Sequence, residues 1–211
     1  MKTTRLNNRS LLRAVQHLEA KDHYLRFVVS RYGAPPLWER EEGFKTLIRI
    51  ILEQQVSLAS AKSAYEKLLR YTVLLTPDNF LKLSDEELKS AGFSRQKALY
   101  GRNLAGAIIE GSLVLSKLPD LDDAEVKEHL MKIKGVGSWT SDIYLLMALG
   151  RPDVWPSGDL ALASAIQKLK GMVSRPSNEE LNVISLEWRP WRAVAARILW
   201  HYYLSDQPKT R

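Results

Sequence analysis

The sequence predicts an all-α fold. Apolar residues recur at three- and four-residue spacing in one segment after another, the period of a helix with one buried face. Helix-start and helix-stop signals punctuate those segments. Strand signals are weak: Thr72-Val73-Leu74-Leu75 and Leu113-Val114-Leu115 are short and do not alternate.

The elements follow in order. Leu11, Val15, Leu18, Leu25 and Val28 mark one helix from Leu11 to Val29, broken by Gly33-Ala34-Pro35-Pro36. Phe44 to Leu52 is a strongly apolar helix, and Leu58 to Tyr71 is another. Ser84 and Ser177 are each followed at the third position by a glutamate, Glu87 and Glu180, the pattern of a capping box. Helices are therefore expected from Asp85 to Ala91 and from Asn178 to Trp188. Gln96 to Ile109 and Ala124 to Ile133 fill the middle, Trp139 to Leu149 and Leu160 to Leu169 follow, and Trp191 to Leu204 closes the chain. Pro190 suits the first turn of that last helix, because proline lacks the amide a first turn cannot use.

The 211 residues are long enough for one large domain or two small helical lobes. A formal net charge of +7, from 31 Lys and Arg against 24 Asp and Glu, favours a polyanionic partner without specifying one. Zero cysteines remove disulfides, thiol catalysis, cysteine-ligated zinc and iron–sulfur clusters together. The polar, basic residues before Arg13 do not read as a signal peptide, and no apolar run is long enough to span a membrane. The expected location is intracellular, cytoplasmic or nucleoid-associated in a prokaryote. His17, His23, His129 and His201 have no metal-ligand spacing.

The chemistry concentrates in two linked stretches. Leu130-Met131-Lys132-Ile133-Lys134-Gly135-Val136-Gly137-Ser138-Trp139 reads as a hairpin between two helices, with the glycines at the turn. Glycine lets a backbone approach another chain closely, and amides at the start of the following helix suit a phosphate. By itself Gly-x-Gly is equally a helix cap and a tight turn. Twenty residues after Trp139, Trp155-Pro156-Ser157-Gly158-Asp159 places one carboxylate on a loop before an apolar helix. Asp159 there is a good N-cap. It is also a carboxylate able to stabilise positive charge that develops beside it.

Hairpin and aspartate together resemble the helix-hairpin-helix DNA glycosylase superfamily, and the bacterial 3-methyladenine DNA glycosylase II branch within it. Leu52-Glu53-Gln54-Gln55-Val56-Ser57 and Pro190-Trp191-Arg192 with Trp200 extend the resemblance over about Gly43 to Tyr203. It implies two helical lobes with a cleft between them, one of about 44–140 and the other of about 1–43 plus 141–211. With some forty residues before the match, a compact form without a further N-terminal domain is expected. The resemblance also implies site residues. Asp159 matches the catalytic aspartate. Trp139 and Trp200 match tryptophans lining the base pocket, and Tyr144 falls near the same wall, while Ile143 replaces a pocket tyrosine. Gln55 matches the wedge that fills the gap left by an extruded base. Lys134, Gly135, Val136, Gly137 and Ser138 match the phosphate-binding hairpin. The carbonyls of Met131, Ile133 and Val136 match those that hold a monovalent cation, Na or K.

Trp139 stands where lyase members carry a nucleophilic lysine, so the resemblance implies a monofunctional enzyme that uses water. The implied activity is removal of alkylated purines, 3-methyladenine and 7-methylguanine first, from double-stranded DNA in base excision repair, by a monomer without an organic cofactor. Two other readings remain: a glycosylase of the same fold for deaminated or etheno bases, and a non-catalytic module that binds DNA structure. Asp142 reads as a first-turn stabiliser of its helix. Arg192 and Arg197 suit phosphates or ion pairs equally.

Overall fold

The computed structural model describes residues 5–206. They form twelve α-helices: α1 (Asn8–Lys21), α2 (His23–Tyr32), α3 (Phe44–Glu53), α4 (Leu58–Tyr71), α5 (Pro77–Leu81), α6 (Asp85–Ser90), α7 (Arg95–Ile109), α8 (Asp123–Met131), α9 (Ser138–Met147), α10 (Leu160–Lys170), α11 (Asn178–Ser185) and α12 (Arg192–Ser205). Leu115–Asp120 and Leu186–Trp188 are 3₁₀ turns, and no strand occurs among the described residues. Among the described residues no helix is long and apolar enough to cross a membrane.

Caps explain most helix ends. Ser84 with Glu87 and Ser177 with Glu180 close the two capping boxes read from sequence. Asn7 with Ser10 and Asp122 with Glu125 close two more. One expected helix becomes two. Asp22 interrupts Leu11–Val29, ending α1 and capping α2 by accepting from the amides of Tyr24 and Leu25 at 2.8 and 3.1 Å. A short acceptor side chain inside a helical pattern competes with the helix for backbone donors, and here it wins. The expectation for Pro190 also changes. The Arg189–Pro190 peptide is cis, Trp191 is the N-cap, and α12 starts only at Arg192.

The first unit is residues 40–149. Helix α3 is its centre, with Phe44, Leu47, Ile48, Ile50, Ile51 and Leu52 buried, packed on α4, α7 and α9. Phe80 of α5 fills the space between Phe44 and Phe93, with ring centroids 5.8 Å from each. That position demands Gly101 on α7, because a Cβ there would meet the Phe80 ring at 2.5 Å. Helix α5 has little sequence signal beyond Thr76 as N-cap and Pro77 at its start. The first unit extends to Leu149 rather than ending near residue 140, because α9 buries its apolar residues against α3 and α8.

Residues 5–39 and 150–206 form the second unit. Helix α12 is its core, buried on nearly every face from Ala193 to Trp200 and packed against α1, α2 and α10. Trp155 and Trp188 lie 5.4 Å apart between ring centroids. The Trp188 indole donates to Asp22 at 2.8 Å, so the residue that breaks the first helix also anchors this aromatic cluster.

Candidate functional site

In the first unit, α8, residues 132–137 and α9 form a helix–hairpin–helix. Ile133 and Val136 are buried beneath the turn, and the Val136 amide donates to the Ile133 carbonyl at 2.9 Å. The two glycines differ. Gly135 has φ +103°, and a Cβ there would meet Tyr100 Cγ at 2.1 Å, so both backbone and space require glycine. Gly137 has ordinary extended backbone and open space where a Cβ would stand. As N-cap of α9 it offers no side-chain oxygen to the first-turn amides. An exposed, uncapped helix start with room for close approach can receive an anion. Lys134 is exposed beside it.

Side chains from α7, α8, α9 and the α3–α4 loop brace this turn. Lys127 of α8 reaches Asp142 at 2.8 Å and Ser138 Oγ at 3.0 Å, and Ser138 Oγ donates to Asp142 at 3.2 Å. Asp142, buried in α9, thus ties the two helices of the hairpin together. Asn103 of α7 donates to the Lys134 carbonyl at 3.2 Å, and Gln54 Nε2 donates to the Gly135 carbonyl at 2.9 Å. Gln54 also donates to Thr140 Oγ1 at 3.0 Å. It was legible only as a neighbour of Gln55 in the Gln54-Gln55-Val56-Ser57 string. Gln55 itself is exposed between α3 and α4, with left-handed φ 55°. Such backbone is uncommon and costly for a residue other than glycine.

The Lys134 and Gly135 carbonyls are thus engaged by side chains of the same unit. The carbonyls of Met131, Ile133 and Val136 are neutral oxygen donors of the kind a monovalent cation takes. Ile133 keeps one lone pair beyond the bond from Val136.

Trp139, second residue of α9, is half-buried. Tyr144 differs from the expectation of a pocket wall. It is fully buried, its hydroxyl accepts from the Gly43 amide at 3.0 Å, and burial pushes its pKa up to about 12. Thr140 to Leu146 of α9 are all core positions, and Tyr144 points its hydroxyl to a backbone donor there instead of to a ligand. Ile143 is buried as well.

Asp159 and Trp200 belong to the second unit. Asp159 caps α10, one oxygen accepting from the Leu162 amide at 2.9 Å. The same oxygen accepts from the Trp200 indole at 3.2 Å, although the two residues are 41 apart in sequence. Both are only 8% exposed, so the carboxylate is held by two donors where little water reaches it. Gly158 at φ +82° makes the turn that places Asp159. A carboxylate fixed in this way can stabilise developing positive charge without reorganising. Arg192 and Arg197 are structural. Arg192 forms a two-pronged pair with Asp153 at 2.9 Å on each prong. Arg197 is buried on α12, donating to the carbonyls of Leu37 and Ala193 at 2.8 and 3.0 Å, and burial lowers its pKa to about 10.

A family model described as HhH-GPD superfamily base excision DNA repair protein matches residues 48–190. The alkylbase DNA glycosidase-like protein mag2 of Schizosaccharomyces pombe is 29% identical over 195 residues, 89% of this chain and 92% of that protein. The solved structure of 3-methyladenine DNA glycosylase Mag1 from the same yeast, in complex with abasic DNA, superposes with a TM-score of 0.85 at 27% identity, covering 93% of this chain and all (100%) of that one. A DNA-3-methyladenine glycosidase from Bacillus halodurans gives a TM-score of 0.72 at 28% identity, over 92% of this chain and 91% of that one.

Proposed function

The chain belongs to the HhH-GPD superfamily of base excision DNA repair proteins, and on that premise we propose that it is a monofunctional DNA glycosylase removing alkylated purines, 3-methyladenine and 7-methylguanine first, from double-stranded DNA. The observation that carries this reading is the Asp159 carboxylate held by Leu162 and the Trp200 indole. Relatives described as 3-methyladenine glycosylases, one of them solved with abasic DNA, support the substrate class.

The chemistry follows from charge. Alkylation makes the purine cationic, so the N-glycosidic bond breaks with its electron pair going to the base, which leaves neutral. Positive charge passes to the sugar, where Asp159 stabilises it. Water then adds at the anomeric carbon and gives up a proton, leaving an intact abasic strand. The Gly137–Ser138 start of α9 receives a backbone phosphate and Lys134 adds positive charge. The Met131, Ile133 and Val136 carbonyls would hold a monovalent cation that supplies further charge beside that phosphate. Gln55 serves as the wedge, and Trp139 and Trp200 supply indole faces that attract a cationic base more than a neutral one. Position 139 offers no amine, so no Schiff base forms there.

Single-turnover reactions on duplexes with one 7-methylguanine or 3-methyladenine test this reading. Strand breakage should appear only after alkali, and borohydride should trap no protein–DNA adduct. Duplex binding without excision of any alkylated base would make the chain a binding module. Nicking without alkali, or a trapped adduct, would mean a lysine acts as nucleophile.

A further inference from the structure

Gln54 links the α3–α4 loop to the hairpin through both donors of its side-chain amide, which go to the Gly135 carbonyl and to Thr140 Oγ1 at 2.9 and 3.0 Å. The partners are 81 and 86 residues away in sequence. Gln55, the next residue, is exposed in a left-handed conformation at φ 55°. Backbone of that kind persists where its surroundings over-determine it. The chain is also held where it leaves α3, because Lys97 of α7 donates its ammonium to the Leu52 carbonyl at 2.7 Å. The same face of α7 carries Tyr100, packed against Gly135, and Asn103, bonded to the Lys134 carbonyl. Loop and hairpin therefore share one rigid support, and Gln54 is the direct bond between them.

We propose that Gln54 is a positioning residue that sets Gln55 in register with the hairpin, so that grip on a phosphate and entry of the wedge into the duplex occur together. This rests on the glycosylase reading and on Gln55 as its wedge. A wedge helps only if it reaches the gap while the base is out. Loosening the loop leaves the phosphate grip intact and lowers the extruded population. The loss is therefore large where the target base is paired and small where extrusion is already cheap.

Gln54→Ala and Thr140→Val in the full chain, each checked by thermal melting, test this. Single-turnover excision of 7-methylguanine is compared opposite cytosine and opposite an abasic-site analogue. Gln54→Ala should slow the paired substrate by about tenfold, the worth of two modest hydrogen bonds, and the unpaired one by less than about twofold. Duplex affinity should stay near wild type. Thr140→Val, which leaves the bond to Gly135, should act in the same direction with smaller effect, and the double variant should be no slower than Gln54→Ala. A 2-aminopurine beside the target reports extrusion without chemistry, and its fluorescence should fall in Gln54→Ala. Equal slowing of both substrates, or an unchanged paired rate in a folded variant, would overturn the proposal. Should Gln54→Ala fail to fold, Thr140→Val decides by the same ratio. If wild type excises no alkylated base, the proposed function fails, while the fluorescence comparison still decides the role of Gln54.

Discussion

At Asp159 one carboxylate oxygen serves a helix cap and an indole at once, and substitution separates the structural role from the chemical one. Asparagine caps helices as well as aspartate does and keeps a carbonyl oxygen for both donors. Asp159→Asn should therefore melt near wild type and bind duplex normally, while excision falls by at least about a hundredfold through loss of the charge. A folded variant with near wild-type excision would reduce Asp159 to a cap. Trp200 needs a gentler change, because truncation to alanine at a buried site costs about 3–5 kcal/mol through the cavity alone. Trp200→Phe keeps a ring, weakens cation–π attraction and removes the bond to Asp159. Excision of 7-methylguanine should drop more than excision of neutral hypoxanthine. Equal losses would mark Trp200 as a packing residue or a generic stacking surface.

At the scale of the element, the two hairpin glycines part company. Gly135 sits at φ +103° against Tyr100, so Gly135→Ala should destabilise by roughly 1–3 kcal/mol, as overpacking of a well-packed contact does. Gly137 has room. Gly137→Asp should leave the melting temperature within a few degrees of wild type and weaken binding to damaged and undamaged duplex alike, because a carboxylate at the start of α9 repels phosphate. Loss of damage discrimination alone would remove the hairpin from phosphate binding. The Gly-x-Gly spacing was legible in sequence, but the difference between its members was not. It depends on Tyr100, which reaches the turn from α7. The break at Asp22 was missed for a similar reason. Apolar spacing continued across it, and the cap that stops α1 is reinforced by Trp188, 166 residues away.

For the whole molecule, charge governs affinity. A net charge of +7 on 211 residues steers the chain toward a polyanion. Duplex affinity should fall steeply with salt through counterion release, and Lys134→Ala should reduce the log–log slope by about 0.9, the share of one phosphate contact. An unchanged slope in a folded variant would place Lys134 off the phosphate path. The excess of cations does not all serve DNA. Arg192 is paired with Asp153, Arg197 is buried on α12 with its guanidinium on the Leu37 carbonyl, and Lys127 is held by Asp142.

The sequence by itself determined the all-helical class, the capping boxes at Ser84 and Ser177, the hairpin turn and the placing of Asp159 before α10. Each of these is written within a few neighbouring residues, because helical period, cap geometry and left-handed glycine are local properties of the chain. Only the tertiary structure decided that Tyr144 spends its hydroxyl on Gly43, that Gln54 clasps the hairpin, and that Trp200 donates to Asp159. Those partners lie 101, 81 and 41 residues apart. Their pairing follows from which helix faces the core presses together, which depends on every packed neighbour at once and leaves no mark in the residues on either side.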